Sequence, residues 1–452
     1  MVVLAAIAYS HFAELINDVF LLRWQADRLS FHHPSNFYNG FFSIGYPLLL
    51  RFVSRTGNPI FTLILAQIVL AGVYALLLYR FLEAVAPKRS ILVALPLVLF
   101  APPFLHSIPS ATPDFLSAFA VLAGLILIVK RANFFLGFLC MGLGYLLRVH
   151  ILLFAVTFSF ALVFTYRESH SRILTGFCAG ILPFVLLQGI VQVISGHRFF
   201  ENAQVFNIWK TMYGIDWSNP PLLHHTTAIG TILADPIRFS VASLSWLWHY
   251  IFYLIPLVAV LVLGIKVQKT HRALFRNIRM LAWAAFAYIL LASGGGSISA
   301  FTPVLPIIGA CLALCFEYII SLVPSSSRGI TVRIVAILLW AVSIVGYAWF
   351  SQHERERIVE YTQVERAVRT ATGTLDPYRL YTDDYDLYFP GTPYLRPKTS
   401  GSWGEVGLPN YTKEFPHICD TSASAEYHDL AKDSIDLAIF RIPPYDPRGY
   451  EN

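Results

Sequence analysis

The sequence predicts a mainly α, polytopic helical membrane protein with about eleven transmembrane helices and a small C-terminal α/β domain outside the bilayer. Three observations lead there. Of the 452 residues, 56% are hydrophobic and only 13% are charged, roughly half the charge of an average soluble domain. Apolar runs near the length needed to cross about 30 Å of hydrocarbon recur from residue 2 to residue 351. After residue 351 the composition turns to charge and turn-forming residues.

Taken in order, the runs fall near 2–16, 58–84, 91–108, 113–129, 133–147, 149–166, 173–195, 238–264, 280–294, 302–323 and 333–351. The first is short for a span and has no basic residue before it, which predicts a longer upstream reading frame. It also lacks the basic n-region and small-residue cleavage site of a signal peptide. Arg148 and His150 interrupt "FFLGFLCMGLGYLLRVHILLFAVTF" and predict a turn at the membrane surface.

Basic residues set the orientation. Arg80, Lys88 and Arg89 follow the second run, Lys130 and Arg131 the fourth, and Arg167 and Arg172 the sixth. The acid-free "KVQKTHRALFRNIR" (266–279) follows the eighth, and Arg328 and Arg333 follow the tenth. All these loops share one side, which the excess of Lys and Arg makes cytoplasmic. The chain then divides into a transmembrane core (1–351) with outer loops at 17–57 and 196–237, and an extracytoplasmic domain (352–452). A multi-pass protein of a bacterial inner membrane fits this pattern. The net charge of +6 is accounted for by these loops, and no basic patch with interleaved aromatics supports nucleic-acid binding.

In the tail, "YRLYTDD" and "IDLAIFRI" have the character of strands and "SAEYHDLAKDS" that of a helix between strands. The acidic "TDDYD" (382–386) fits either a turn after a strand or a weak metal site, and "NYT" (410–412) is a formal glycosylation sequon. Cys140, Cys178, Cys311 and Cys315 lie in apolar runs without His or carboxylate company, and Cys419 is alone in the tail, so no disulfide framework is expected. The chain has no P-loop, dinucleotide fingerprint, HExxH or GxSxG, which removes support for ATP-driven transport and soluble-type hydrolysis.

The residues able to carry chemistry cluster on the predicted outer face. Asp18 ends the first span, with Glu14 one turn earlier on the same helix face. A solvated helix end and a working acid both fit Asp18. Next, "VFLLRWQADRLSF" separates apolar from charged residues as an interfacial helix would, and Arg23 and Asp27 stand at pairing distance. "NFYNGFFSIGYPLLLRF" (36–52) suits either sugar or lipid stacking or an aromatic belt, with Pro47 starting another helix. Asp114 follows Pro113 at the start of the fourth span, where it suits the helix dipole and also a role as a second acid beside Asp18. Arg148, His150, His197, Arg198, Lys210, His224 and His225 share this face as interfacial anchors or as cations for a lipid-linked phosphate.

The stretch "NDVFLLRWQADRL…NGFFSIGYPLLLRF" resembles the first outer loop of GT-C class membrane glycosyltransferases: the protein O-mannosyltransferases, aminoarabinose transferases and rhizobial galacturonosyltransferase-like proteins. The matching positions are Asn17-Asp18, Arg23, Ala26 and Gly45-Tyr46-Pro47. "ATPDFLSAFAVLAGL" is similar to the second-loop acid of that class and places it at Asp114, and "GLGYLLRVHILL" places its helix-ending arginine at Arg148. Two positions depart: Asn17 replaces the first of the usual acid pair, and "SAFTPVLP" (299–306) lacks the arginine that begins the late family element.

The resemblance implies a polyprenyl-phosphate sugar donor, a hydroxyl acceptor on a lipid, glycan or protein, and a single inverting displacement. It implies that Asp18 is the general base and that Asp114 orients the acceptor or a divalent cation. Arg148, with Lys210, would neutralise the departing lipid phosphate, and Arg23 and Tyr46 would contact substrate. A transporter or flippase for lipid-linked saccharides, or a polysaccharide polymerase or ligase, is the competing expectation. Paired broken helices in an inverted repeat, the transporter signature, are absent from the sequence.

Overall fold

The structure is a computed structural model. It describes Leu22, Gln25, Ala26, Leu29, Phe37, Tyr38 and residues 43–345, with interruptions at 57–58, 87, 109–111, 198, 200–207, 209–210, 214–227, 268–271, 294–297, 325 and 344, and three short strands near the C-terminus. The described helices are α1 (Gly45–Val53), α2 (Pro59–Val85), α3 (Lys88–Leu99), α4 (Pro102–Ser107), α5 (Pro113–Arg131), α6 (Phe134–Leu147) and α7 (His150–Thr165). They continue as α8 (His170–Ile194), α9 (Ala228–Ala234), α10 (Pro236–His249), α11 (Ile251–Val267), α12 (Arg272–Ala292) and α13 (Leu305–Ser321). Residues 328–343 are also helical.

Prolines and turn residues set many of these boundaries. Pro102, Pro113 and Pro236 begin helices, where a missing N–H costs nothing. Leu99 ends α3 and Pro102 begins α4, so the run 91–108 is two helices; the residue before a proline is pushed out of the helical region. Ala132 closes α5 in the left-handed region (φ 49°), and the Asn133 side chain then accepts from the Leu136 N–H to start α6. The run 238–264 is likewise split: α10 and α11 meet at a 99° bend around Tyr250.

Four described helical segments are long and apolar enough to cross a bilayer: Thr62–Val85, Pro113–Arg131, Arg167–Ile194 and Ala300–Ser321. A fifth counts if α10 and α11 are one bent span. The faces of α2 show what such helices need. Ile64, Gln67, Ala71, Tyr74, Leu78 and Phe81 line its buried face, while Leu65, Val69, Val73 and Leu76 line an exposed one. A helix apolar all round needs an apolar medium on both sides, and the protein supplies only one of them. The interior packs closely. A Cβ on Gly124 would lie 2.6 Å from the Gly137 carbonyl oxygen, and one on Gly142 would lie 2.7 Å from that of Gly180. Backbones of α5, α6 and α8 therefore approach through small residues, as membrane helices commonly do.

The helices have a shared polarity. At one end Arg80 and Lys130 both meet Glu83, at 3.1 and 3.7 Å, joining the ends of α2 and α5. At that same end Arg276 of α12 stacks over the Tyr166 ring, whose hydroxyl bonds Asn277. Arg131 and Arg172 share a groove there. The opposite end gathers Asp114, Arg148, the start of α1 and the last turns of α12. Arg80, Lys130, Arg131, Arg172 and Arg276, which the sequence places on one side, thus lie at one end of the helical body.

Near the C-terminus, β1 (Leu380–Thr382), β2 (Leu395–Pro397) and β3 (Leu437–Ile439) pair in parallel in the order β2-β1-β3. Two of these strands fall inside "YRLYTDD" and "IDLAIFRI". The expected helix at 424–434 and the rest of 352–452 lie outside the described residues.

Candidate functional site

Helices α5 and α6 form an antiparallel hairpin, so the start of one and the end of the other meet. Thr112 caps α5 in extended conformation, Pro113 opens the helix, and Asp114 follows in its first turn. Arg148 terminates α6 with φ −141° and ψ 120°, which turns the chain before α7 begins at His150. Between these two helix ends the Arg148 guanidinium donates to Asp114 Oδ2 at 2.7 Å, with both side chains about nine-tenths buried. The Thr112 hydroxyl donates to the same oxygen at 3.0 Å. The other carboxylate oxygen, Oδ1, is buried without a hydrogen-bond partner among the described residues.

Three further elements close around the pair. The Gln67 amide of α2 donates to the Thr112 carbonyl at 3.2 Å and is fully buried. Gln67 lies eight residues into α2, about 12 Å along its axis at 1.5 Å per residue, so Asp114 is recessed below the helix start. Tyr46 of α1 is fully buried beside Gln67, Asp114 and Arg148. Burial, reinforced by the Asp114 carboxylate, pushes its phenol above the ordinary tyrosine range, so it remains a neutral hydroxyl. Tyr288 of α12 is buried within the field of both charges, and its ring faces that of His150 at 6.3 Å between centroids. The Tyr288 hydroxyl and His150 Nε2 are buried without hydrogen-bond partners among the described residues. Below the pair, Tyr74, Phe104 and Phe115 form an aromatic floor, with centroids 4.7 and 5.9 Å from the Tyr74 ring.

The motif Gly45-Tyr46-Pro47 has a packing reason. A Cβ on Gly45 would sit 2.5 Å from the Leu146 carbonyl oxygen, so α1 starts in backbone contact with the end of α6. The Ile44 N–H is held from the other side by Gln188 Oε1 of α8 at 3.1 Å. This double attachment brings Tyr46 to the Asp114–Arg148 pair.

Of the residues singled out from sequence, the structure brings Asp114, Arg148, Tyr46 and His150 together. Asp18, Arg23 and Lys210 lie outside the described residues, as do Arg198, His224, His225 and most of the loop 196–237. His197 lies edge-on to Tyr38, 5.0 Å between ring centroids. Gln67, Thr112 and Tyr288 join the site without having been singled out. Gln67 had a visible signal: it is the one polar amide within "FTLILAQIVLAGVYALLL". Tyr288 had none, since a tyrosine in an apolar run more often anchors at an interface.

A cation finds little here. Among the described residues no group of three or more His, Cys, Asp or Glu side chains gathers, and Asp114 faces a guanidinium. What the pair can do is present a guanidinium, held in orientation by its carboxylate partner, to an anionic oxygen. Compared with known proteins, the chain matches no family model, no characterised relative and no solved structure at a significant level.

Proposed function

We propose that this chain is an integral-membrane glycosyltransferase that moves a sugar from a polyprenyl-phosphate donor to a hydroxyl acceptor at the extracytoplasmic face. The observation that carries the reading is the recessed Asp114–Arg148 pair at the end opposite the basic loops, adjoined by Gly45-Tyr46-Pro47. The excess of Arg and Lys at the other end supports placing that end in the cytoplasm, and hence the pair outside. Membrane insertion itself is supported by the spanning-length helices and by their exposed apolar faces.

In this reaction the acceptor oxygen attacks the anomeric carbon while the bond from that carbon to the phosphate oxygen breaks. The acceptor proton passes to the Asp18 carboxylate, and the polyprenyl phosphate leaves with the bonding electrons. Arg148 takes up the negative charge developing on that phosphate, and Asp114 orients its guanidinium, with Thr112 and Gln67 holding Asp114 in turn. Lys210 supplies a second cation and Arg23 contacts substrate, while the fully buried Tyr46, expected from the resemblance to do so too, packs against the Asp114–Arg148 pair instead. No step requires a metal ion. In the same reading the 352–452 segment, with its three paired strands, is assigned to the extracytoplasmic side as a small α/β domain.

The test is reconstitution of the purified chain in liposomes with polyprenyl-phosphate sugar labelled in the sugar, and membrane extract as the acceptor source. Label should move to a new product as polyprenyl phosphate is released, and Asp18→Asn should stop both while leaving insertion and folding intact. Full transfer by Asp18→Asn removes the base assignment. Passage of intact lipid-linked sugar across the bilayer, with no polyprenyl phosphate released, would make the chain a transporter or flippase. Extension of a lipid-linked polymer would make it a polymerase or ligase.

A further inference from the structure

A second polar feature lies at the basic end, far from the Asp114–Arg148 pair. Between the α5–α6 turn and the first turns of α8 runs an open groove of about 590 Å³. Clefts of this size accommodate small molecules and headgroups. Arg131 comes from one side and Arg172 from the other, with the Ser171 and Thr175 hydroxyls beside them. Arg80 and Lys130, by contrast, share the Glu83 carboxylate. Among the described residues neither Arg131 nor Arg172 meets a carboxylate. Two arginines on one groove repel each other, and an anion with several acceptor oxygens relieves that repulsion.

The remainder of the groove is apolar and leads toward the bilayer. Gly176 closes its floor, because α8 there packs so tightly on α6 that a Cβ would lie 2.7 Å from that of Phe134. A ligand therefore lies on this floor and does not pass between the helices. Phe135, at 46% exposure, carries the groove wall onto an outward apolar face. A phosphate at the mouth with a hydrocarbon tail along that wall would satisfy both parts. A free phosphate would satisfy only the first.

We propose that this groove is a binding site for the headgroup of an anionic phospholipid drawn from the leaflet at the basic end. The proposal rests on the membrane reading of the chain and is independent of the transferase reading. Basic clefts between membrane helices bind phosphate headgroups by this combination of charge and exposed wall.

The test is native mass spectrometry of the full chain released from micelles doped equally with phosphatidylglycerol and phosphatidylcholine. The wild type should retain phosphatidylglycerol selectively. The double variant R131Q/R172Q should lose about tenfold or more of that retention, since each basic side chain near a headgroup contributes on the order of one tenfold step or slightly less. Thr175→Trp, which fills the groove and leaves both arginines, should lose it too, whereas Arg80→Gln should not. Undiminished retention in the double variant, or equal retention of the two lipids by the wild type, overturns the site. Displacement of bound lipid by excess inorganic phosphate overturns the assignment to lipid in favour of a soluble anion.

Discussion

Asp114 and Arg148, 34 residues apart in the chain, meet at 2.7 Å where the start of α5 and the end of α6 face each other. The contact ties one helical hairpin closed and fixes the orientation of a buried guanidinium. Burying two charges is costly, and a hairpin could be closed as well by apolar residues. A role for the charge itself is the physical reason to look for chemistry there.

Asp114→Asn should destabilise the chain by about 3–5 kcal/mol, because it leaves the Arg148 guanidinium buried without its counter-charge. The paired variant D114L/R148M should recover much of that loss, since replacing both charges by apolar groups is often neutral. Thermal unfolding in detergent gives both values. A double variant as damaged as the sum of the singles would show that the two residues do not act as a pair.

Arg148→Lys keeps the charge and loses the planar fork that grips a carboxylate and a phosphate at once. Transfer should fall about tenfold or more, equivalent to about 1.4 kcal/mol of barrier, with folding largely preserved. Single-turnover release of polyprenyl phosphate reads the effect directly. Wild-type turnover in this variant would mean that point charge alone suffices.

Gly45→Val should cost about 1–3 kcal/mol, because its Cβ would lie 2.5 Å from the Leu146 carbonyl oxygen and α1 would have to move. Tyr46 would move with it, so transfer should drop further than stability does. Gly72→Ala is the control: no heavy atom lies within 4 Å of its added Cβ, and replacing a mid-helix glycine should be neutral or stabilising by about 0.5–1 kcal/mol. Thermal unfolding of the two variants side by side separates crowding from helix propensity.

Gln67→Leu removes the amide that donates to the Thr112 carbonyl at 3.2 Å, a net cost of about 0.5–1.5 kcal/mol. Loosening Thr112 frees the hydroxyl that holds Asp114, so transfer should fall even where the folded fraction at assay temperature is unchanged. Gln67→Met, which keeps the length and has no donor, should behave like Gln67→Leu. If both variants keep full transfer, Gln67 does not support the site.

The mainly helical, apolar character was readable from one dimension because hydrophobic transfer depends on local composition; of the eleven spans expected, four or five stand among the described residues. Runs of about twenty apolar residues, the helix start at Pro113, and the recurrence of Arg and Lys in alternate loops each express themselves within a short window. So did the polar interruption at Arg148 and His150, which became the end of one helix and the start of the next. Less visible were the breaks inside two apolar runs, at Leu99–Pro102 and around Tyr250, since hydropathy averages over a bend.

From its own residues the chain determined that helices would form, roughly where, which ends would carry the basic loops, and that Asp114 and Arg148 belong to one face. Their direct bond, its recess beneath the start of α2, and the approach of Gln67, Tyr46 and Tyr288 were decided only by tertiary packing. Composition acts along the chain, whereas a buried charge is positioned by groups drawn from five helices whose separations in sequence carry no trace of their nearness in space.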